Sequence, residues 1–293
     1  MGQAVSQVTL KDARPWLIAF GSTFLFNNLV FLNALRKKDN GIVDMTWSIS
    51  LLIPNLITMF FVTQSYTSPR AILSNVLVTL WALRLSYHIT KRHTGVEDYR
   101  YAKWRSDWEK QGLSVAYKSW SFVFMLQGMF SCVNNLSALF ISIYAARIGG
   151  PLNWLDAAGA LLWTTGFYFE AVGDYQLTKF KEKPENQGKV MTEGVWRYTR
   201  HPNYFGEAAM WWGIYLIACN MGLGGASTVL SAITITWLVR NVSGVAMLER
   251  KQKKKADFQV YMRETSPFIP MPYKKLTFEQ KQEIIKNFEA NQQ

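Results

Sequence analysis

The densest chemistry in this sequence lies between residues 191 and 207, Met-Thr-Glu-Gly-Val-Trp-Arg-Tyr-Thr-Arg-His-Pro-Asn-Tyr-Phe-Gly-Glu. Arg197 and Arg200, with Lys179, Lys181, Lys183 and Lys189 just ahead of them, make a cationic mouth suited to phosphate oxygens. Pro202 follows His201 and sets a turn at the head of a helix, whose free N–H groups favour an anion. Trp196 and Tyr204 offer flat faces to a ring, and Asn203 offers an amide that pairs with another amide or a base edge. Glu207 falls inside an apolar run, where a carboxylate is costly and has a task or a partner. On chemistry alone, these residues fit a cofactor site and a juxtamembrane basic loop with interfacial aromatics equally well.

The elements that must position them are membrane helices. A hydrocarbon core of about 30 Å takes roughly 20 mostly apolar residues per helix. Seven windows qualify, at about 15–35, 42–63, 70–90, 119–146, 152–175, 204–224 and 226–247. Apolar residues make up 49% of the chain and charged residues 18%, so the mean hydropathy of −0.01 averages strongly apolar spans with very basic connectors. Pro15 and Pro151 stand at span starts, where a missing N–H costs nothing, and Pro54 predicts a kink in mid-span. Gly222, Gly224 and Gly225 link the last two windows as a tight helical hairpin. The predicted fold is all-α: a polytopic membrane domain of about seven helices over 1–275, then a polar tail, 276–293. In that tail Phe278, Ile284, Ile285 and Phe288 among charges predict a short amphipathic helix, able to dock on a partner or to fray.

Charge then orients the chain. With seven spans, 26 of the 32 Lys and Arg fall on one face and four on the other, namely Lys11, Arg14, Arg70 and Arg147. Arg84 and Arg240 lie inside spans. The positive-inside rule puts the C-terminus on the cytosolic or matrix side and the N-terminus opposite, in the endoplasmic reticulum or the mitochondrial inner membrane. Met1-Gly-Gln-Ala-Val-Ser6 fits an N-myristoylation pattern, but this topology places Gly2 on the wrong face for it. The first apolar run is too long for a cleavable signal. The net charge of +12 does not predict a nucleic-acid partner, because most aromatic residues sit in apolar runs rather than among the cations. Cys132 and Cys219 form no disulfide framework, and His88, His93 and His201 have no metal-ligand spacing, so no metal is expected.

The segment from Gly194 to Glu207 resembles the signature of the steroid 5α-reductase superfamily, and the chain is most similar to its 3-oxo-5α-steroid 4-dehydrogenase-like branch. Ordered blocks carry the likeness from about residue 40 to 273: Asp44-Met-Thr-Trp47, Trp81-Ala-Leu-Arg-Leu-Ser-Tyr-His88, Gly95-Val-Glu-Asp-Tyr-Arg-Tyr101, Phe124-Met-Leu-Gln-Gly128, Phe169 to Leu177, Ser243-Gly244, Glu249-Arg250 and Thr265 to Pro270. The resemblance implies NADPH held in a cavity between the later spans, with no Rossmann domain. It implies Glu170, Asp174 and Lys181 on the adenine and phosphate portion, and Asn203, Tyr204 and Glu207 nearer the nicotinamide. Trp196, Arg200 and His201 belong to the same cofactor segment, and Glu249 and Arg250 close the tail side. Thr178 stands where relatives carry a phosphate-binding Arg, which leaves NADPH against NADH open.

The implied reaction adds a hydride to the β-carbon of an enone while an acid, hydrogen-bonded to the carbonyl, stabilises the developing enolate oxygen. The acid candidates are Tyr87 and His88, with Asp44 or Arg84 as partners; an interior Asp–Arg pair that is structural glue reads equally well. The expected substrate is an apolar lipid or steroid-like enone, and the surrounding partners are membrane lipids. Two other functions stay open. One is an isoprenylcysteine-type methyltransferase using S-adenosylmethionine. The other is a non-catalytic accessory subunit that keeps the fold within a larger membrane complex.

Overall fold

A computed structural model describes residues 10–242 and 244–290. The myristoylation pattern at Gly2 lies outside them. Among the described residues the chain is helical and has no strand, its one isolated bridge joining Thr199 to Ser266. The main helices are α1 (Leu10–Lys37), α2 (Ile42–Ile57), α3 (Pro69–Arg92), α4 (Tyr99–Lys110), α5 (Val115–Asn134) and α6 (Leu136–Ile148), then α7 (Trp154–Glu182), α8 (Pro202–Cys219), α9 (Leu230–Trp237), α10 (Val245–Gln252), α11 (Ala256–Glu264) and α12 (Phe278–Ala290).

Of the seven expected spans, the described residues show four to five by length and apolarity. Among the described residues four helices have the length and apolarity to cross a bilayer: Ala13–Lys37, Ile42–Val62, Pro69–Arg92 and Leu223–Arg250. A fifth joins them if α5 and α6, bent by 50° at Asn135, are taken as one span. The windows at 152–175 and 204–224 are helical but less apolar than these. The reason is compositional: α7 carries Asp156, Glu170 and Asp174, and α8 carries Asn203 and Glu207. The last window merges into Leu223–Arg250.

The contacts divide the chain into two compact units. The first comprises the described residues of Met1–Ala157 with Ile214–Ser231. Its long helices start and stop where local chemistry dictates. Ser68 in extended backbone precedes Pro69 at the first turn of α3, and Lys91 and Arg92 complement the dipole at its end. Asp98 caps α4 by accepting from the Arg100 N–H at 2.9 Å. α4 then docks through Tyr101 and Trp108 onto a core of Val30, Ala34, Ile42, Val43, Val123 and Phe124.

Polar side chains tie the apolar helices of this unit together, as helices without a hydrophobic drive between them require. Asn55 Nδ2 donates to Asn135 Oδ1 at 2.7 Å, Asn75 Nδ2 to Ser142 Oγ at 2.9 Å, and Ser50 and Ser131 share a hydrogen bond of 2.8 Å. Asn135 sits at the bend between α5 and α6 and donates to the Leu51 carbonyl at 2.9 Å. Arg70 is buried against Asp156 at 2.7 and 2.8 Å. Its charge is thus neutralised internally.

The second unit comprises the described residues of Ala158–Gly213 with Ala232–Gln293, and α7 and α8 build its centre. Gly159, Gly166 and Gly173 recur every seven residues on α7, as do Gly206 and Gly213 on α8. Seven residues are about two turns, so each set lines one face. The two faces meet antiparallel and almost backbone to backbone. A Cβ on Gly166 would lie 2.6 Å from the Gly206 carbonyl and 2.8 Å from Met210 N. One on Gly213 would lie 2.5 Å from the Gly159 carbonyl, and one on Gly173 would touch the Pro202 ring at 3.0 Å. Small residues permit this approach, and nothing larger fits.

Candidate functional site

The glycine face of α7 also carries Glu170 and Asp174, one and two turns beyond Gly166, and that of α8 carries Asn203 and Glu207 beside Gly206. Close packing therefore drives polar side chains into each other. Glu170, Asp174 and Glu207 are all buried. Asn203 Nδ2 donates to Asp174 Oδ1 at 3.1 Å, and Trp211 Nε1 donates to Glu207 Oε1 at 3.0 Å. The Asn203 carbonyl oxygen is buried and has no hydrogen-bond partner. An orphaned acceptor in such a place costs about 1–3 kcal/mol until an N–H or O–H group reaches it.

The turn leading into α8 is stitched from two sides. Gly194 takes φ +61°, a left-handed conformation that suits glycine, and starts a helical turn, Gly194–Arg197. On the α7 side, Val195 N donates to Gln176 Oε1 at 3.0 Å and Trp196 Nε1 to the Gly173 carbonyl at 3.0 Å. On the other side lies the segment after α11. Arg200 N donates to the Ser266 carbonyl at 2.9 Å, Thr199 Oγ1 to that of Phe268 at 2.8 Å, and Met271 N to that of Tyr198 at 3.0 Å. The Tyr261 hydroxyl donates to the Trp196 carbonyl, and burial pushes that phenol's pKa up, so it stays a donor.

The arrangement gives several of these residues partners inside the protein. Arg200 does not face outward to phosphate. Its Nε donates to Glu249 Oε1 at 2.8 Å, and its Nη1 to the carbonyls of Thr265 at 2.7 Å and Met262 at 3.3 Å. His201 Nε2 lies 3.2 Å from the same Glu249 oxygen. Glu249 therefore anchors the turn from inside rather than closing a tail. Trp196 is buried and spends its indole N–H on α7, so it presents no free face. His201 and Tyr204 stack with ring centroids 5.8 Å apart, and Tyr204 packs against Gly244, where a Cβ would come within 3.1 Å of its ring. The outward cations are Arg197, stacked 4.4 Å over the Tyr273 ring, with Lys181 and Arg250 also exposed.

The acid candidates lie in the first unit. Tyr87 is exposed, with Lys91 Nζ 5.7 Å from its ring centroid, and His88 Nε2 lies 3.5 Å from Arg92 Nη1. The Asp44 carboxylate is held by residues the sequence did not single out: Tyr101 OH donates to Oδ1 at 2.8 Å and Arg100 Nη2 to Oδ2 at 2.9 Å. Tyr101 is buried, and burial first, then the Asp44 charge, raise its pKa well above the usual phenol range. The available signal was the block Gly95 to Tyr101, which carries Glu97, Asp98, Arg100 and Tyr101 within five residues. Burial also opposes ionisation of Asp98, yet the Arg100 side chain and N–H prevail and hold its pKa below the usual value.

Fold and site together define an all-α protein with several bilayer-length apolar helices and a buried polar cluster built on two glycine-packed helices. A family model described as a protein of unknown function, DUF1295, matches residues 30–265, and the chain belongs to this steroid 5α-reductase-like family. It is 23% identical over 287 residues to an uncharacterised protein of Schizosaccharomyces pombe, an alignment covering 88% of this chain and 80% of that one. It is also 33% identical over 101 residues to a probable O-methyltransferase of Ustilaginoidea virens, covering 31% of this chain and 36% of the relative. No solved structure matches.

Proposed function

We propose that this chain is a membrane-embedded oxidoreductase that takes NADPH and reduces a carbon–carbon double bond of an apolar lipid or steroid-like enone. The observation carrying the reading is the Asn203 amide, tied to Asp174 through Nδ2 while its carbonyl oxygen stays buried and without a partner. A carboxamide N–H or an adenine amine would satisfy that oxygen, and a nicotinamide dinucleotide has both. The donor set fits the group. Glu170 and Asp174 accept from an amine or ribose hydroxyls, Tyr204 offers a ring already stacked on His201, and Lys181, Arg197 and Arg250 supply exposed cations for phosphates.

Bound there, the dinucleotide supplies the hydride. This chain's own residues hold it, keep water from the buried carboxylates, and aim a proton donor at the substrate carbonyl. Tyr87 and His88 remain the proposed donors with Asp44, and the Tyr101–Asp44 hydrogen bond adds Tyr101 to them. The membrane in this reading is the endoplasmic reticulum or the mitochondrial inner membrane.

A second reading is transfer of a methyl group from S-adenosylmethionine, favoured by the likeness to the O-methyltransferase. That donor also carries an adenine amine but has no phosphates. Equilibrium titration of the purified full chain with NADPH, NADH and S-adenosylmethionine separates the readings. Saturable NADPH binding with no S-adenosylmethionine binding is expected. The reverse would establish the transferase, and binding of neither would leave the accessory-subunit reading.

A further inference from the structure

One cation in the last apolar stretch is left over by the site just described. Arg240 lies within Leu223–Arg250, ten residues short of its basic end. There α9 gives way to a wider π-turn, Leu238–Val242, and Gly244, with φ −108° and ψ −109°, interrupts the helix before α10. Ile233, Trp237, Arg240 and Asn241 are spaced i, i+4, i+7 and i+8, so they form one stripe. All four are exposed. This is the outward face of the segment, in contrast to the buried cluster on α7 and α8.

Among the described residues Arg240 has no carboxylate partner; its guanidinium lies 6.0 Å from the Phe268 ring centroid. Phe268 is buried, but the loop continuing from it turns outward, with Ile269 61% and Met271 55% exposed. The cation and the amide thus share a stripe with Trp237 and Ile233, and the cation lies beside the start of the loop that carries Ile269 and Met271. A guanidinium on the outward face of a membrane helix, one turn inside a break, is expensive without an anion. The positive-inside rule puts the basic end of this segment, Arg250 with Lys253, Lys254 and Lys255 just beyond, at the leaflet richest in anionic lipid.

We propose that Arg240 and Asn241 seat the phosphate of an anionic glycerophospholipid of that leaflet, with its acyl chains lying along Trp237, Ile233 and the Ile269–Met271 ridge. The proposal goes beyond the reductase reading and does not depend on it. The outward exposure of the stripe selects a lipid over the dinucleotide, since the proposed cofactor residues are the buried ones.

The test is native mass spectrometry of the full chain released from nanodiscs of equal phosphatidylglycerol and phosphatidylcholine with matched acyl chains. Phosphatidylglycerol adducts should exceed phosphatidylcholine adducts by about five-fold, the preference typical of one interfacial cation. Arg240→Gln should bring the two to parity, and Arg240→Lys should keep part of the preference. Millimolar inorganic phosphate should leave the adducts in place; stripping them would make this a free-anion site and overturn the proposal. The exposed tail lysines are the internal comparison. If Lys253→Gln with Lys254→Gln abolishes the preference while Arg240→Gln retains it, the attraction is diffuse tail charge and the proposal falls.

Discussion

Asn203 reaches Asp174 at 3.1 Å because Gly206 and Gly166 let their two helices touch backbone to backbone. The hydrogen bond and the glycine contact are one feature. A wider helix pair would leave both polar groups alone in an apolar setting.

Gly206→Ala should therefore be costly. Its new methyl would lie 2.6 Å from Glu170 N and 2.8 Å from Glu170 Cβ, and neither backbone can yield without separating the helices. Overpacking of this kind costs about 1–3 kcal/mol. Gly21→Ala in α1 meets nothing within 4 Å and should stabilise by about 0.5–1 kcal/mol. Thermal unfolding of both variants checks the contrast, and equal Tm values would remove the glycine contact from the account.

Asn203→Ala removes the orphaned acceptor along with its donor to Asp174. Dinucleotide affinity should fall by about 1–3 kcal/mol, roughly five- to 150-fold, with the fold retained. Asn203→Asp should weaken binding further, since it sets a second carboxylate beside Asp174. Titration of both variants by Trp fluorescence reads the effect; unchanged affinity in both would exclude Asn203 from the site.

Arg200 and Glu249 should behave as structural partners. Glu249→Gln leaves a buried guanidinium without its counter-charge, and breaking a buried pair in this way costs about 3–5 kcal/mol. Arg200→Lys loses the fork that spans Glu249 and the Thr265 carbonyl. Both should lower Tm sharply. A variant with normal Tm but weakened NADPH binding would return Arg200 to the phosphate.

Tyr101→Phe and Tyr87→Phe should part company. Tyr101 gives a buried hydrogen bond to a carboxylate, so its loss should destabilise the first unit by about 1.5–3 kcal/mol. Tyr87 is exposed, and its variant should fold normally. In an enone-reduction assay, loss of the true acid should cost about 10²–10³ in turnover with NADPH affinity unchanged. If neither variant loses turnover, the acid is His88 or lies elsewhere.

Acid should loosen α4. The pKa of Asp98 is lowered in the folded chain, so its contribution is fully present above the unfolded value of about 3.9 and is lost as pH falls through the folded value. Its cap and its pair with Arg100 then go together. Protection factors in Tyr99–Lys110, taken relative to the intrinsic exchange rate at each pH, should fall as pH drops below about 4, and Asp98→Ala should show the lowered protection already at pH 7.

How much of this was legible in advance depends on the range of the interaction. Helix positions, the basic termini and loops, and the concentration of polar chemistry near Asn203 and Glu207 follow from local composition, because hydropathy and charge act residue by residue. The number of helices apolar enough to cross a bilayer depends on how α7 and α8 are read, since both are long but carry carboxylates among their apolar residues; which partners those carboxylates find is what a window along the chain cannot register. Arg200 looked like a phosphate ligand until Glu249, 49 residues on, proved to hold it. Asp44 looked like a partner for α3 until Arg100 and Tyr101 of α4 took its two oxygens. A side chain's type states what it can bond to, but its actual partner is set by which backbones pack closely enough to meet, as the glycines at 166 and 206 let Asn203 meet Asp174.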